Sequence, residues 1–441
     1  MGVVMKIADQ MIFFVMLFFS GLAGLSYVWV KGLFRGKRSF IENGAPVNRL
    51  TFCIMNLEKA RYMSDLKEDL LLNDTISRQV AVFFDFESKK DSHARITDNI
   101  MYYHFSVHKE EKLAKMGFAK ISALVNFVRN VLFLINVCRK QEINCVESYE
   151  AVFLGFTGLI FSRILGAPFV LHLNTSYEVK YRASGKVSVK FLRFRRLEKW
   201  IEYLTARLAD VITADRNFYK DLKDFPKKCI EKYVTTGLRV NEKYYAELDT
   251  RRNLKKSLNI IGRDVILYVG RLHPVKYVSD LVTAFKRIRK ENAVAFLLIV
   301  GEGGLEGELK NMVQEYDLTE DVLFLGAKTP DELKDIFFTA DVVVQPHGGV
   351  VLLEAALAGT PCVVYDFDWH KEFLQDGKTG FIVPFRDTEK LAEKTLNLLS
   401  DKKLNARMGL YSRMTALSGY SRARSIRKEK TIYDKLLRKD F

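Results

Sequence analysis

The fold class is indicated most clearly by the stretch DVILYVGRLHPVKYVSDLVTAFKRIRKENAVAFLLIVG (264–301). The apolar runs at 264–270 and 295–301 have the length and β-branched content of buried strands, and a helical pattern lies between them near 277–290. A strand, a helix and a second strand in this order predict a βαβ unit, in which the two strands are parallel.

The same alternation is found on both sides of this unit. In the second half, further strands are predicted at DVLFLG (321–326), DVVVQP (341–346), PCVVYDF (361–367) and GFIVP (380–384), with helices near 305–316, 330–339, 350–358 and 387–399. In the first half, strands are predicted at TFCIMNL (51–57), VAVFFDF (80–86), FVLHL (169–173), DVITA (210–214) and EKYVTT (231–236), with a long helix over about 112–139. Two such sets, with a break near 240–255, predict an α/β protein with two Rossmann-like lobes whose parallel sheets face one cleft.

Composition narrows the class of protein. The 441-residue chain is 48% hydrophobic and 28% charged with eight prolines, which excludes disordered, collagen-like and low-complexity proteins. Its 69 Lys and Arg residues outnumber its 53 Asp and Glu residues, and the net charge of +16 favours an anionic partner: nucleic acid, an acidic membrane surface or a phosphorylated substrate. The five cysteines are scattered without a CxxC pair, which indicates reduced thiols and neither a disulfide framework nor a zinc site.

The N-terminal region carries a candidate membrane anchor. Residues 11–30 contain no charged side chain and are long enough for one transmembrane helix. Tyr27 and Trp29 lie at its end, where aromatic rings favour the membrane interface. Basic residues after residue 30 predict that everything beyond the anchor lies in the cytoplasm, as a single-pass membrane protein. The alternative is an amphipathic or buried helix.

A family resemblance is carried by ordered motifs in the second half. They are YVGRLHPVKYVSDLVTAF (268–285), LLIVGEGGLEGEL (297–309), VLFLGAKTPDEL (322–333), GGVVLLEAALAGTPCVV (348–364) and KEFLQDGKTGFIVPFRDTEKLAE (371–393). The chain resembles the retaining, GT-B-fold glycosyltransferases of family four, strongly over about 255–400, loosely over 140–240 and hardly at all over 47–140. After the predicted anchor and its basic linker (1–46), the resemblance implies an acceptor lobe (47–245), a donor lobe (246–410) and a C-terminal helix (411–441) that crosses back to the first lobe.

Two basic residues are candidate catalytic groups. Arg271 and Lys276 follow a strand and bracket a short loop, and the resemblance implies that they grip the diphosphate of a nucleotide sugar. Cations fixed there stabilise the charge that develops as the sugar departs. The alternative is two solvated basic residues at the start of a helix.

The resemblance also implies a donor-binding loop. A helix is predicted to begin at the four residues Gly348, Gly349, Val350 and Val351. The two glycines allow a ligand to approach the backbone closely, and the free backbone amides at the start of the helix attract anions. Glu354 matches the carboxylate that accepts the ribose hydroxyls, and a glutamate on an exposed helix face is the alternative.

One position departs from the family pattern. Pro346 stands where the family usually has a glutamate that contacts the transferred sugar. The neighbouring His347 either replaces it in hydrogen bonding or is a loop histidine without a role. By the same resemblance, Gly303 lines the donor pocket and the backbone around Lys328 lies against the base.

In the first lobe, His172 ends the strand FVLHL, at the sheet edge where parallel sheets bind ligands. It resembles the family histidine near the sugar and acceptor, and the alternative is a buried histidine bonded to a backbone carbonyl. No metal-ligand constellation is present in the sequence, so we expect a metal-independent enzyme without a cofactor, whose basic residues and amides replace a divalent ion.

Eight basic residues against one acidic residue lie between Lys180 and Lys199, beside an apolar helical stripe. With an anchor nearby, this pattern predicts contact with an anionic membrane surface. A solvated helix face is the alternative. No DNA- or RNA-binding motif accompanies the charge, so nucleic acid is not the expected partner.

The sequence therefore predicts a retaining hexosyltransferase. It would move a hexose-type sugar from a nucleotide-diphosphate sugar to a lipid-linked or envelope glycan acceptor at the cytoplasmic membrane face, with the diphosphate itself taking the acceptor proton. A non-catalytic membrane scaffold or partner subunit on the same fold is the alternative that the loss of a glutamate at Pro346 favours, and a nucleotide-sugar epimerase is a further one.

Overall fold

The computed structural model describes residues 47–52, 76–85, 91–106, 119–173, 195–214, 227–237, 245, 254–366 and 370–438. The predicted transmembrane segment 11–30 and most of the basic stretch 180–199 lie outside these residues. Among the described ones, no helix is both long enough and apolar enough to cross a membrane. The described residues divide into two compact units, an N-terminal unit up to residue 236 that resumes at 426, and a C-terminal unit over 237–425.

The N-terminal unit is built on one eight-stranded sheet. Its strands are β1 (Val47–Phe52), β2 (Ile76–Asp85), β3 (Ser92–Thr97), β4 (Ile100–Ser106), β5 (Cys145–Ser148), β6 (Phe169–His172), β7 (Val211–Ala214) and β8 (Tyr233–Thr235), in the order β3-β4-β2-β1-β5-β6-β7-β8. The helices of its described residues are α1 (Ala119–Lys140), α2 (Phe153–Leu165), α3 (Arg195–Leu208) and α4 (Lys227–Ile230).

Three features of this sheet differ from the sequence prediction. β3 pairs antiparallel with β4 because a two-residue turn joins them, and such a turn permits only a hairpin. β1 (Val47–Phe52) begins four residues before the predicted strand 51–57, since its polar residues Asn48 and Arg49 are buried with partners, and residues 53–57 lie outside the described part of the chain. The short strand β5 was not predicted, since its four residues include the charged Glu147.

The C-terminal unit is a six-stranded, fully parallel sheet. Its strands are β9 (Asp264–Val269), β10 (Ala295–Val300), β11 (Val322–Gly326), β12 (Val342–Val344), β13 (Cys362–Tyr365) and β14 (Gly380–Val383). The helices are α5 (Val278–Glu291), α6 (Glu306–Glu315), α7 (Pro330–Thr339), α8 (Val351–Ala358), α9 (His370–Phe373), α10 (Thr388–Ser400), α11 (Lys402–Gly419) and α12 (Arg422–Arg438). From residue 426, α12 belongs to the N-terminal unit, where Ile432, Tyr433 and Leu436 join a core with Val47 and Cys145.

Alternating strand residues fill a core on each face of this second sheet. Val265 and Leu267 of β9 lie in one buried cluster, and Ile266 and Tyr268 lie in the other. The strand order β11-β10-β9-β12-β13-β14 is that of a doubly wound fold, which reverses direction between β9 and β12. In such sheets a crevice opens outside the carboxyl ends of the two strands at the reversal, so the loops that follow β9 and β12 are the first place to seek a ligand site.

Candidate active site

Two hydrogen bonds join the loops at this reversal point. Lys276 ends a 3-10 turn (Pro274–Lys276) after β9, and its Nζ donates to the backbone carbonyl of His347 at 3.2 Å. The Nδ1 of His347 lies 2.7 Å from the carbonyl oxygen of Val275. A carbonyl only accepts, so Nδ1 carries the proton and donates it. His347 therefore holds the loop after β12 against the loop after β9, which gives it a role that does not require a sugar.

Arg271 differs from Lys276 in its surroundings. It is exposed, and within the described part of the chain its guanidinium makes no hydrogen bond or ion pair. The hydroxyl of Tyr268 donates to its carbonyl oxygen at 3.1 Å, which fixes the backbone while leaving the side chain outside the fold. Arg271 is thus a cation on the loop after β9 whose charge no described residue neutralises.

The two glycines before α8 have different environments. A Cβ on Gly348 would lie 2.5 Å from Cγ of the buried Leu352, whereas a Cβ on Gly349 would meet nothing within 4 Å. Packing within the chain therefore requires the glycine at 348 but not the one at 349. Open space beside Gly349 is what a ligand approaching the backbone needs.

The amide of Gly348 is already occupied. It donates to Nε2 of the fully buried His370 at 3.1 Å, and Nδ1 of His370 donates to the carbonyl of Tyr365 at 2.7 Å. One ring nitrogen donates and the other accepts, so His370 is neutral. The amide of Gly348 is therefore satisfied within the chain, and the role predicted for Gly348 in the donor-binding loop stays a prediction.

The amides that follow Gly348 fit that role better. Gly349 and Val350 make no backbone or side-chain hydrogen bond through their N–H groups to any residue that the structure describes. Val351 is the first residue of α8, whose first amides have no acceptor inside the helix. Glu354 lies half-buried in the first turn of the same helix, with its own N–H donating to the carbonyl of Val350 at 3.1 Å.

Gly303 is required by close packing between two loops. A Cβ there would lie 2.2 Å from the carbonyl oxygen of Leu272, and one on Gly301 would lie 1.9 Å from that of Gly270. Lys328, in the loop after β11, places Nζ 3.2 Å from Glu332 on α7. The roles predicted for Gly303 in the donor pocket and for Lys328 near the base stay predictions.

His172 belongs to the N-terminal unit, whereas the other ten predicted site residues belong to the C-terminal unit. It is buried at the end of β6, and its ring stacks on Tyr149 with centroids 4.1 Å apart. Its Nδ1 lies 2.5 Å from Oγ1 of Thr213 on β7, and its Nε2 lies 3.5 Å from Oε2 of Glu147 on β5. Side chains surround the ring, so the expected alternative of a bond to a backbone carbonyl is not what the structure has.

Sequence reasoning missed the neighbours of His172. Burial acts to raise the pKa of Glu147, but the charge of Arg49, the nearby imidazole of His172 and a hydrogen bond from Tyr433 outweigh it and lower that pKa to about 2. The available signal was a charged residue inside each of two short apolar runs, Arg49 in VNRLTF and Glu147 in CVES. A buried strand holds such a residue only when it is paired.

No group of three or more His, Cys, Asp or Glu residues that could hold a metal ion occurs in the described ranges. Metal independence stays a prediction.

Comparison with known proteins supports a family for the second half of the chain. Residues 250–415 match the family "Glycosyl transferases group 1". Similar proteins include N-acetyl-alpha-D-glucosaminyl L-malate synthase of Bacillus anthracis, 29% identical over 46% of this chain and 53% of that protein. They also include UDP-Gal:alpha-D-GlcNAc-diphosphoundecaprenol alpha-1,3-galactosyltransferase of Escherichia coli, 23% identical over 70% of this chain and 80% of that protein.

A third relative is GDP-mannose-dependent alpha-(1-6)-phosphatidylinositol monomannoside mannosyltransferase of Mycobacterium tuberculosis, 31% identical over 37% of this chain and 45% of that protein. The chain thus spans about half the length of the first and third of these relatives.

Two solved structures share the fold of nearly the whole chain. HepE of Anabaena, solved with UDP and glucose, has a TM-score of 0.68 at 16% identity and covers 88% of this chain and 99% of its own. Sucrose-phosphate synthase of Thermosynechococcus elongatus has a TM-score of 0.71 at 18% identity, over 89% of this chain and 100% of its own. At these identities the likeness concerns the fold alone. The chain has the GT-B-like α/β fold with parallel sheets, and its residues 250–415 match the glycosyltransferase group 1 family.

Proposed function

We propose that this protein is a retaining, metal-independent glycosyltransferase. It moves a hexose-type sugar from a nucleotide-diphosphate sugar to a lipid-linked or envelope glycan acceptor at the cytoplasmic face of a membrane. The observation that carries the proposal is the reversal point of the C-terminal sheet. There the loop bearing Arg271 and Lys276 is hydrogen-bonded to the loop that leads into the open amides of α8.

The chemistry needs a group that accepts charge on the leaving diphosphate. Arg271 supplies a charge that no described residue neutralises, and Lys276 supplies a second one held by the His347 carbonyl. The N–H groups of Gly349 and Val350 add uncharged donors at the positive end of a helix. Cations and amides fixed in place stabilise the departing diphosphate more than the intact donor, so they lower the barrier.

The remaining roles are part of the same proposal. Glu354 is the carboxylate that receives the ribose hydroxyls of the donor. The departing diphosphate takes the proton of the acceptor hydroxyl as that hydroxyl attacks from the face which the leaving group vacates, so the sugar keeps its anomeric configuration. Because the two cations and the amides neutralise the diphosphate, the reaction does not require a divalent ion.

The acceptor class is supported by the relatives. Two of them are named for acceptors with a lipid part, a diphosphoundecaprenol and a phosphatidylinositol monomannoside. Their named donors, UDP-Gal and GDP-mannose, differ in both base and sugar. We therefore propose the lipid-linked or glycan acceptor and leave the base to experiment.

A surface of α3 supports the membrane location. Five exposed residues of α3 recur at spacings of three and four, so they share one face of the helix: Arg196, Lys199, Trp200, Tyr203 and Arg207. Trp200 is 50% exposed and Tyr203 is 41% exposed. Aromatic rings among basic side chains suit the interface of an anionic membrane. This face and the predicted anchor at 11–30 together keep the enzyme at its acceptor.

Nucleotide binding is the first test. The thermal midpoint of the protein lacking residues 1–30 is measured with UDP, GDP, ADP and CMP, with and without EDTA. We expect one nucleoside diphosphate to raise the midpoint equally in both conditions, and we expect the Arg271→Ala/Lys276→Ala double variant to lose that shift.

A matched control removes the same charge elsewhere. Lys290→Ala/Lys403→Ala changes two exposed lysines of the same unit that lie away from the two loops, and it should keep the full nucleotide shift. A folded protein that responds to none of the four nucleotides would favour the non-catalytic scaffold. Once a donor is known, the anomeric proton of the product, followed by NMR before mutarotation, tests whether the configuration is retained.

A further inference from the structure

The N-terminal unit contains a buried cluster of ionisable side chains that the proposed reaction does not use. Arg49 of β1 donates through Nη1 to Glu429 and to the hydroxyl of Tyr433, both on α12 and both at 2.9 Å. Tyr433 in turn donates its proton to Oε1 of Glu147. The Glu147 side chain has no exposed surface, and that of Arg49 is 4% exposed.

Arg49 lies beside two carboxylates, those of Glu147 and Glu429. Glu429 has the closer contact with Nη1 of Arg49, at 2.9 Å, while Glu147 lies 3.5 Å from the same nitrogen. Removing ions from water is costly, and well-packed apolar residues hold elements together at least as well. Glu147, the carboxylate farther from Nη1 of Arg49, is the one that faces His172.

His172 is held on three sides. Tyr149 stacks on its ring at an interplanar angle of 9°, Thr213 lies against Nδ1, and Glu147 lies against Nε2. A carboxylate accepts hydrogen bonds and does not donate them, so it favours the tautomer with the proton on Nε2. In that tautomer Nδ1 accepts from the hydroxyl of Thr213. Thr213 therefore fixes Nδ1 through a hydrogen bond, whereas Nε2 makes no hydrogen bond to a described residue and is biased toward the protonated form by the charge of Glu147, 3.5 Å away.

We propose that Glu147 is a positioning residue for His172 and that helix α12, through Tyr433, holds Glu147 in place. This proposal rests on the proposed function, in which His172 lies on the acceptor side of the reaction. An imidazole fixed at the carboxyl edge of the sheet holds the reacting groups in the orientation that the reaction needs. A displacement of about 1 Å of an orienting side chain lowers the rate by on the order of 100-fold. The C-terminal helix is then part of the catalytic apparatus of the N-terminal unit.

A double-mutant cycle separates positioning from simple support of the fold. In the full chain, Glu147→Gln should lower kcat by about 10- to 100-fold and leave the KM for the nucleotide sugar unchanged. In a His172→Ala background the same change should have no further effect on kcat, because its target is gone. A full additional loss in that background would overturn the proposal.

Tyr433→Phe provides a second approach if Glu147→Gln does not fold. It removes only the phenol oxygen, and it should lower kcat in the same direction and likewise lose its effect without His172. Ile432→Val on the same helix is the matched control. It trims a buried apolar side chain that cannot hydrogen-bond to Glu147, so it should leave kcat unchanged.

A readout that needs no activity distinguishes this proposal from the proposed function. The chain has seven histidines, and ¹⁵N labelling reports the tautomer of each imidazole. The signal absent from His172→Ala should show the proton on Nε2, and Glu147→Gln should shift it toward the other tautomer. An unchanged signal overturns the positioning role even in an active enzyme. Absence of turnover with every nucleotide sugar, beside a shifted signal, would contradict only the proposed function.

Discussion

An arginine is placed in opposite ways in the two units. Arg271 in the C-terminal unit is exposed on a loop, without a neutralising partner among the described residues. Arg49 in the N-terminal unit is buried within a strand and reaches Glu147, Glu429, Tyr433 and Gln79. A charge left open is available to a ligand, whereas a charge neutralised internally determines how elements pack. The comparison separates residues whose loss should affect turnover from residues whose loss should affect folding.

The largest effect is expected from removing the open charges. Arg271→Ala/Lys276→Ala should lower kcat by at least about 1,000-fold, because losing one electrostatic donor at a reacting centre costs on the order of 100- to 1,000-fold. The urea midpoint should stay nearly unchanged, since Arg271 has no partner among the described residues and a hydrogen bond such as that of Lys276 to the His347 carbonyl contributes about 1 kcal/mol. If the double variant turns over as fast as Lys290→Ala/Lys403→Ala, Arg271 and Lys276 are not part of the active site.

The reverse pattern is expected for the buried arginine. Arg49→Met should lower the free energy of unfolding by about 3–5 kcal/mol, because it leaves Glu147 and Glu429 buried without their cation. Urea unfolding of the variant and of Lys290→Met, an exposed control of the same chemistry, measures the difference. A loss below about 1 kcal/mol would show that the cluster is not what attaches α12 to the sheet.

The two units also differ in how far the sequence predicts them. In the C-terminal unit each strand is an apolar run bounded by turn residues, so the predicted strands at 264–270 and 295–301 agree with the structure to within a residue or two. In the N-terminal unit, β1 and β5 contain Arg49 and Glu147, whose partners are distant in sequence. A charged residue in an apolar run signals that a partner exists, but it does not identify a partner that is distant in sequence. The early start of β1, the short β5 and the members of the cluster around His172 could therefore not be derived from the sequence.

The candidate site was predictable in the same uneven way. The motif spacing predicted the loops after β9 and β12, and both lie at the reversal of the sheet. The fate of individual hydrogen bonds was not predictable, because it depends on side chains from other elements. His370 occupies the amide of Gly348, and His347 binds the carbonyl of Val275. The adjacent glycines Gly348 and Gly349 therefore differ in their contacts, because only the amide of Gly348 donates to His370.

The buried carboxylate predicts a specific acid response. The folded-state pKa of Glu147 is lowered from 4.5 to about 2, so the stability it contributes is fully present above about pH 4.5 and is lost as pH falls toward 2. The shift corresponds to about 3 kcal/mol. Between pH 5 and pH 2.5 the wild type should therefore lose more unfolding free energy than Glu147→Gln, with the other carboxylates common to both proteins. Parallel pH curves for the two proteins would contradict a charged Glu147 in the folded state.

The smallest and most discriminating prediction concerns the adjacent glycines. Gly348→Ala should cost about 1–3 kcal/mol of stability, because its methyl group would lie 2.5 Å from Cγ of Leu352 in a full core. Gly349→Ala should change stability by less than about 0.5 kcal/mol, since nothing lies within 4 Å of the added carbon. The same methyl occupies the space that the donor needs, so Gly349→Ala should weaken nucleotide binding in a fully folded protein. If Gly349→Ala binds the nucleotide as tightly as the wild type, the diphosphate does not approach the amides of α8, and the donor contacts are limited to the loop after β9.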